Sequence, residues 1–345
     1  MFRIRLLGAL VALALVVVSQ PAHAVLEIEA NMATLPQTTN NQTSFNTVNF
    51  KEAFSVAPIV IVLPSNEGAD PSAVRIKNVT STGFEIAQVE PLNLDGQHAA
   101  MTVHYLAVTP GSYVFKDVTI EAGTHDTTTQ IGGAGLGGGY DALSFTADFG
   151  SPPALLTTIQ TLNNESATDP PPSGPSDPWL TVATKAVTGT GADVSLERAE
   201  TGGAAGTVDV DESIGYVAIS VGSGTLGGVD YQAFISGDII DGWGNSGATV
   251  NYPSPFGADP LVLASLATRD GADGGWLRRG AISETGVQLL LDEDTFNDGE
   301  RNHTTERASV VAFGQMFHAT IPEPMTALLG VMGLGALAMR RRRMA

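Results

Sequence analysis

The stretch LDEDTFNDGERNHTTE, residues 291–306, gathers more chemistry than any other part of the chain. Asp292, Asp294, Asp298 and Glu300 crowd around Gly299. Hard oxygen donors on a flexible loop are what a calcium ion takes. Calcium is therefore the cofactor this segment suggests, with those four carboxylates as ligands, and no other cofactor is expected. The spacing does not follow the EF-hand pattern, and the competing reading is a solvated acidic hairpin loop. Arg301, His303 and Glu306 stand in the same stretch, but no second histidine lies at metal-ligand spacing. Upstream, Trp276 is followed by Arg278 and Arg279, which together would line a polar groove. Trp179 opens the matching segment earlier in the chain. Exposed, the two tryptophans are stacking platforms; buried, they plug the end of a sheet, and their repetition favours burial.

Catalytic signatures are missing. Glycoside hydrolysis needs two carboxylates facing a cleft, and Asp270, Asp273, Asp292 and Asp294 make no recognisable pair. No GxSxG turn occurs. The run GGAGLGGG from Gly132 to Gly139 lacks a lysine and a following helix, so it reads as a flexible loop and not a phosphate cradle. The expectation is a protein that is not an enzyme.

The elements that must position these residues are repeated. FSVAPIVIVLPS from Phe54, FGSPPALLTTIQT from Phe149 and FGADPLVLASLAT from Phe256 each place a proline four residues after the phenylalanine, then an apolar run. Gly83, Gly191 and Gly286 mark one turn; Ala107, Ala218 and Ala312 mark one strand. The Gly-to-Ala spacings are 24, 27 and 26 residues, and the Phe-to-Gly spacings 29, 42 and 30. The excess in the second copy is the Pro-rich insertion NNESATDPPPSGPSDP. Units of roughly a hundred residues are long enough to own a core each. VRIKNV, FEIAQVE and VSLERAE alternate at period two as half-buried strands do, whereas IVIVL is continuously apolar. The pattern predicts an all-β chain of three tandem antiparallel β-sandwich domains.

With these residues in view, the order Phe-x-x-x-Pro, apolar strand, polar loop, NVTSTGF, alternating strand and YLAV resembles the H-type lectin domain, KNVTSTGFEIAQVE being the nearest piece. The resemblance implies six-stranded sandwiches that associate in threes and hold an N-acetylgalactosamine-like sugar between neighbours. The family's late strand usually carries Trp where this chain has Tyr105, Tyr216 and Val310. Its preceding loop usually supplies an aromatic–His pair; here His98 and His303 answer to the histidine without the aromatic, and the second copy has none. Only the third copy has the acidic loop. The expected ligand, a glycan or exopolysaccharide, is therefore assigned to Trp276, Arg278, Asp292, Asp294, Arg301 and His303. The alternative is a structural or adhesive matrix scaffold with no discrete ligand.

Both ends of the chain read as addresses. MFRIR, an apolar stretch and PAHA form a secretory leader cut after Ala24. At the other end Pro322, Glu323 and Pro324 precede fifteen uncharged residues and then Arg340, Arg341, Arg342 and Arg343. That order resembles the PEP-CTERM sorting signal of Gram-negative bacteria. The resemblance implies transient membrane anchoring through a short transmembrane helix, recognition by an exosortase-type membrane protease, and release outside the cell or into the envelope. The fifteen residues would rise about 22 Å as a helix, short of a hydrocarbon core of about 30 Å, and a permanent anchor is the competing reading. The division expected is a signal peptide at 1–24, sandwich repeats at 25–111, 112–228 and 229–320, and a sorting signal at 321–345. The formal net charge of −19 argues against nucleic acid and anionic membrane surfaces as partners. With 0 Cys, stability rests on apolar cores and assembly.

Overall fold

The computed structural model describes residues 25–322 apart from 40–44, 92–93, 95–96, 134–136, 166–177 and 202–205. The leader, the tail from Glu323 through Pro324 and the four arginines, and most of the Pro-rich insertion lie outside the described residues. Among the described residues the chain is all-β, with short 3-10 turns at Ala199–Thr201 and Trp243–Asn245.

Six sheets form three pairs. The first pair sets the order Phe317–Pro322, Val25–Leu35, Met101–Val108, Ile59–Pro64 against Asn46–Asn49, Gly83–Val89, Ala73–Lys77. The second sets Ala154–Ile159, Glu212–Ile219, Thr119–Thr127, Gly111–Val114 against a sheet centred on Gly191–Glu197. The third sets Gly222–Leu226, Val229–Ile235, Ala308–Phe313, Leu261–Leu266 against Ala248–Asn251, Gly286–Asp292, Trp276–Ser283. In the first pair Phe50, Phe54, Val60, Val62, Phe84 and Tyr105 meet between the sheets. In the second, Phe145, Leu155, Val194, Leu196 and Tyr216 do so.

Hydrogen bonding moves the expected boundaries. Gly111–Val114 pairs forward with Thr119–Thr127, and Gly222–Leu226 with Val229–Ile235, so each belongs to the following unit. Phe317–Pro322 obeys the same rule by pairing with the first strand, Val25 opposite Pro322 and Ala30 opposite Phe317. The three units thus close in a ring whose third junction has no covalent link. Pro322, assigned by the expected division to the sorting signal, ends this edge strand, where a missing amide proton costs nothing. The Gly-rich run also differs from expectation: Gln130–Gly132 pairs with Gly137–Gly138 as a small ladder. Gly138 has φ +141°, and a Cβ there would lie 2.1 Å from the Gln130 carbonyl oxygen.

Ring closure explains the apolar runs. Along Ile59–Pro64, Val60 and Val62 face the core of their own unit, whereas Ile59, Ile61 and Leu63 join a core shared with the other units. Ala154 and Leu156 of the second unit, and Leu261 and Leu263 of the third, enter the same shared core. A strand covered on both faces has no polar face to keep, so alternation disappears. Each such side chain contributes on the order of 1.5–3 kcal/mol when taken wholly from water. The outer strands, such as Trp276–Ser283, keep the alternating pattern over the half that faces solvent.

These three inner strands are sheet edges, and edge amides must be satisfied or they seek other strands. Each finds a side chain of another unit. Val60 N–H donates to Gln160 Oε1 of the second unit at 3.0 Å. Leu155 N–H donates to Ser309 Oγ of the third at 3.0 Å. Val262 N–H donates to His104 Nδ1 of the first at 3.1 Å. Burial pushes His104 down to about 4, helped by Arg279 nearby, which keeps the ring neutral and Nδ1 free to accept.

Candidate functional site

The residues singled out by type and spacing lie where units meet. At the junction of the third unit with the first, Asp292 ends its strand fully buried. Its carboxylate holds Arg278 Nη1 at 2.8 Å and Arg301 Nη2 at 2.5 Å. Arg301 Nε also donates to Asp292, and further guanidinium protons go to backbone: Arg278 donates to the carbonyls of Glu67 and Asp70, and Arg301 to that of Ala69. Arg301 also lies over the Trp243 ring at 3.9 Å. Trp276 donates its indole N–H to the Ser72 carbonyl at 2.8 Å. Two arginines and a carboxylate from the third unit thereby clamp the loop 67–72 of the first, and the buried charge is tolerated because both guanidinium groups share one carboxylate and bond backbone carbonyls, Arg278 Nε alone of these groups being left without a partner among the described residues.

Asp294 turns the other way, toward the second unit. It is fully buried and accepts the amides of Glu200 at 2.9 Å, Thr201 at 3.2 Å and Phe296 at 3.0 Å. Asn297 donates its amide to Glu200, whose carboxyl burial pushes up to about 7. Arg269 Nε meets Glu197 at 2.5 Å across the same junction. Asp298 and Glu300 lie at the surface and only cap their own loop. The four acids expected to share a calcium ion thus diverge. Among the described residues no group of three or more His, Cys, Asp or Glu side chains is arranged to hold a metal ion.

His303 is half-buried overall, with its ring 3% exposed. Nδ1 meets the Thr304 carbonyl at 2.6 Å, and Nε2 stands 3.5 Å from Glu293 Oε1. Burial, with Glu300 and Asp273 near, pushes Glu293 up to about 9. His98 holds the equivalent place in the first unit: Nδ1 meets the Ala99 carbonyl at 3.0 Å and Nε2 meets Ser72 Oγ at 2.9 Å. Each ring fills the space over a glycine; a Cβ on Gly68 would lie 2.8 Å from His98, and one on Gly271 would lie 2.2 Å from His303.

The tryptophans are buried, Trp179 at 0% and Trp276 at 6% exposure, with ring centroids 4.8 Å apart. They meet Ala73 and Val89 of the first unit and Ala199 of the second, closing one end of the common axis. They are not at one position. Trp276 pairs with Asp292 as Thr181 pairs with Glu197, so Trp179 lies two residues earlier. The arginine position is shared by two units only: Arg75 matches Arg278 in register and binds Glu165 at 2.9 Å and the Leu180 and Thr161 carbonyls, while Ala183 stands in the second unit.

Sequence inspection missed two repeated devices. An aromatic four residues before each repeat phenylalanine stacks on it edge-on: Phe50 on Phe54 at 4.9 Å, Phe145 on Phe149 at 5.4 Å, Tyr252 on Phe256 at 5.2 Å. Tyr105 donates to Glu29 at 2.6 Å and Tyr216 to Glu121 at 3.0 Å. Both carboxylates also accept amides of the loop leading to the Phe-Pro strand, at Lys51 and at Thr146 and Ala147. In the third unit Gln232 and Val310 replace the pair, and Gln232 exchanges two hydrogen bonds with Ser254 instead. The signal was present as two joint changes, Glu to Gln and Tyr to Val.

Set beside known proteins, the chain matches no family model and no solved structure. It is 27% identical over 289 residues to halomucin of Haloquadratum walsbyi, a match covering 81% of this chain and 3% of that protein. The chain therefore spans about 3% of the length of the curated relative it matches.

Proposed function

We propose that this chain is an exported structural module, a three-lobed block of a surface or extracellular matrix that holds shape and does no chemistry. The observation that carries this is the fate of its chemical residues. Arg278, Asp292 and Arg301 bind the third unit to the first, Asp294 binds it to the second, and both tryptophans are buried. Likeness to a protein named as a mucin supports an extracellular setting, with this block corresponding to a small part of a much longer polypeptide. The leader and the PEP-CTERM-like tail support export followed by exosortase-type cleavage. Val25 and Pro322 are paired neighbours, so both processing points adjoin one corner of the block.

Glycan or exopolysaccharide recognition is the second reading. It is favoured by His98 and His303, which occupy equivalent loop positions as the H-type lectin resemblance expects. Secreted protein analysed by mass spectrometry is expected to begin at Val25 and to lack Met325 to Ala345. An intact arginine tail on extracellular protein would refute the export route. On a glycan array the structural reading expects no binding that depends on the third junction. Array binding weakened by both Asp294→Ala and His303→Ala would return the assignment to glycan recognition.

A further inference from the structure

The strand that closes the first unit differs in origin from its counterparts. In the second unit Val114 pairs with Thr119, and residues 115–118 turn the chain between them. In the third, Leu226 pairs with Val229 around Gly227 and Gly228. In the first, Pro322 pairs with Val25 at the place where that turn stands in the other two. The strand Phe317–Pro322 therefore reaches its sheet from the far end of the chain, held by no turn.

Side chains do at this seam what a turn does at the other two. Opposite Ala122 and Ala233 stand Gly111 and Gly222; opposite Glu121 and Gln232 stand Ser112 and Ser223. At the same two positions the untethered strand carries Phe317, opposite Ala30, and His318, opposite Glu29. Phe317 is buried and packs on Phe313 with ring centroids 5.2 Å apart. His318 Nδ1 meets Glu29 Oε2 at 3.1 Å, and its ring lies edge-on to Phe54 at 5.3 Å. Ala319 packs against the turn at Gly227, where φ is +59° and a Cβ would lie 2.5 Å from the Ala319 methyl.

Recognition built from side chains and ladder bonds is not confined to one chain. A second copy offers the same edge of Val25–Leu35, the same Glu29 and Phe54, and the same turn at Gly227. The connector to the strand, Gly314, Gln315 and Met316, is one residue longer than Thr109–Pro110 and Ser220–Val221, and Gln315 and Met316 are exposed. Exchange of an identical element between copies costs little, because every contact outside the connector is regained. An edge left vacant by its strand seeks another.

We propose that two copies of this chain exchange Phe317–Pro322, the last strand of each closing the first sheet of the other in a two-fold dimer. The exchange itself follows from the seam; its use, linking blocks of a matrix, rests on the structural reading above. A short connector sets an intramolecular concentration of the order of millimolar, so rings stay closed at micromolar concentration and exchange when refolded near about 1 mM.

The chain has no cysteine, so introduced thiols report on the seam alone. Val25→Cys and Pro322→Cys, as two single variants of the exported protein, would be unfolded, mixed, refolded together at about 1 mM and oxidised. Peptide mass spectrometry is expected to find residue 25 of one chain linked to residue 322 of the other, about tenfold above the 25–25 and 322–322 links that collision produces, because the seam holds the first pair together. The same variants folded apart and mixed at about 10 μM should stay monomeric in size-exclusion chromatography. The double variant Val25→Cys/Pro322→Cys, oxidised as a dilute monomer, should remain monomeric through refolding at the higher concentration. Inserting Gly-Ser-Gly after Gln315 in the cysteine-free chain relaxes the connector and should lower the dimer fraction several-fold. Links in the ratio of random collision, dimers formed by the locked ring, or a dimer fraction indifferent to connector length would each overturn the proposal. Failure to exchange would leave the structural reading standing, whereas glycan binding at the third junction would remove that reading and leave the exchange untouched.

Discussion

Gln160 lies over Gly215, and each needs the other to be what it is. A Cβ on Gly215 would stand 2.6 Å from the Gln160 carboxamide carbon. The equivalent position in the other units carries His104 and Ser309, which satisfy the edge strand of the neighbouring unit from that place directly. The second unit has no side chain there, and Gln160 reaches through the gap to hold both the amide and the carbonyl of Val60.

Gln160→Ala is therefore expected to strand two buried backbone groups and to cost about 1–3 kcal/mol in urea unfolding. Adding Gly215→Ser in that background should recover part of the loss, because serine at this position already does the same work at Ser309. A double mutant no more stable than Gln160→Ala would show that the three junctions are not equivalent.

The repeat phenylalanines are expected to differ in weight. Their amides make one bond in all units, to the carbonyls of Ser81, Gly189 and Glu284. Phe54 and Phe256 are buried, but Phe149 is only half-buried. Phe256→Ala should cost about 3–5 kcal/mol and Phe149→Ala distinctly less, measured by denaturant midpoints at constant slope.

Glu293 makes stability depend on pH. Its carboxyl is raised from 4.5 to about 9 in the fold, so the folded state holds a proton that the unfolded state has lost. Stability from this group is complete below about 4.5 and falls as pH rises through the window up to about 9. His104, lowered from 6.5 to about 4, acts oppositely and favours the fold as pH rises from about 4 to 6.5. Melting temperatures of Glu293→Gln should lose the decline above about pH 7, while Glu200, raised to about 7, still contributes below it. A variant that still declines with the wild-type slope would remove Glu293 as its source.

Closure of the ring is testable through its uncovalent seam. A compact particle of residues 25–322 should have a radius of gyration of about 19 Å in small-angle scattering. Deleting Phe317–Pro322 exposes the edge of Val25–Leu35 and should produce dimers or aggregates in size-exclusion chromatography. A monomeric, equally stable truncation would show that the seam contributes little.

Much of this protein was legible before any coordinates. Strand content, the three-fold repetition and the anchors Phe54, Phe149 and Phe256 follow from local patterns, because alternation, Gly-Pro punctuation and spacing are properties of short segments. The same patterns singled out Trp276, Arg278, Asp292, Asp294, Arg301 and His303 as candidates to hold a ligand. Their role was not legible. A carboxylate that would bind calcium or sugar in the open is spent on Arg278 and Arg301 once the loop 67–72 packs against it. Asp292 and Asp294 serve opposite neighbours because the strand ends at Asp292 and Asp294 lies beyond it, free of the rule that puts residues two apart in a strand on one face. That Ile59–Pro64 is apolar throughout was plain; that its second face meets two other units depended on Phe317–Pro322 returning to Val25–Leu35 across the whole chain. Contacts of such separation leave no mark in any local pattern, and only tertiary packing decides them.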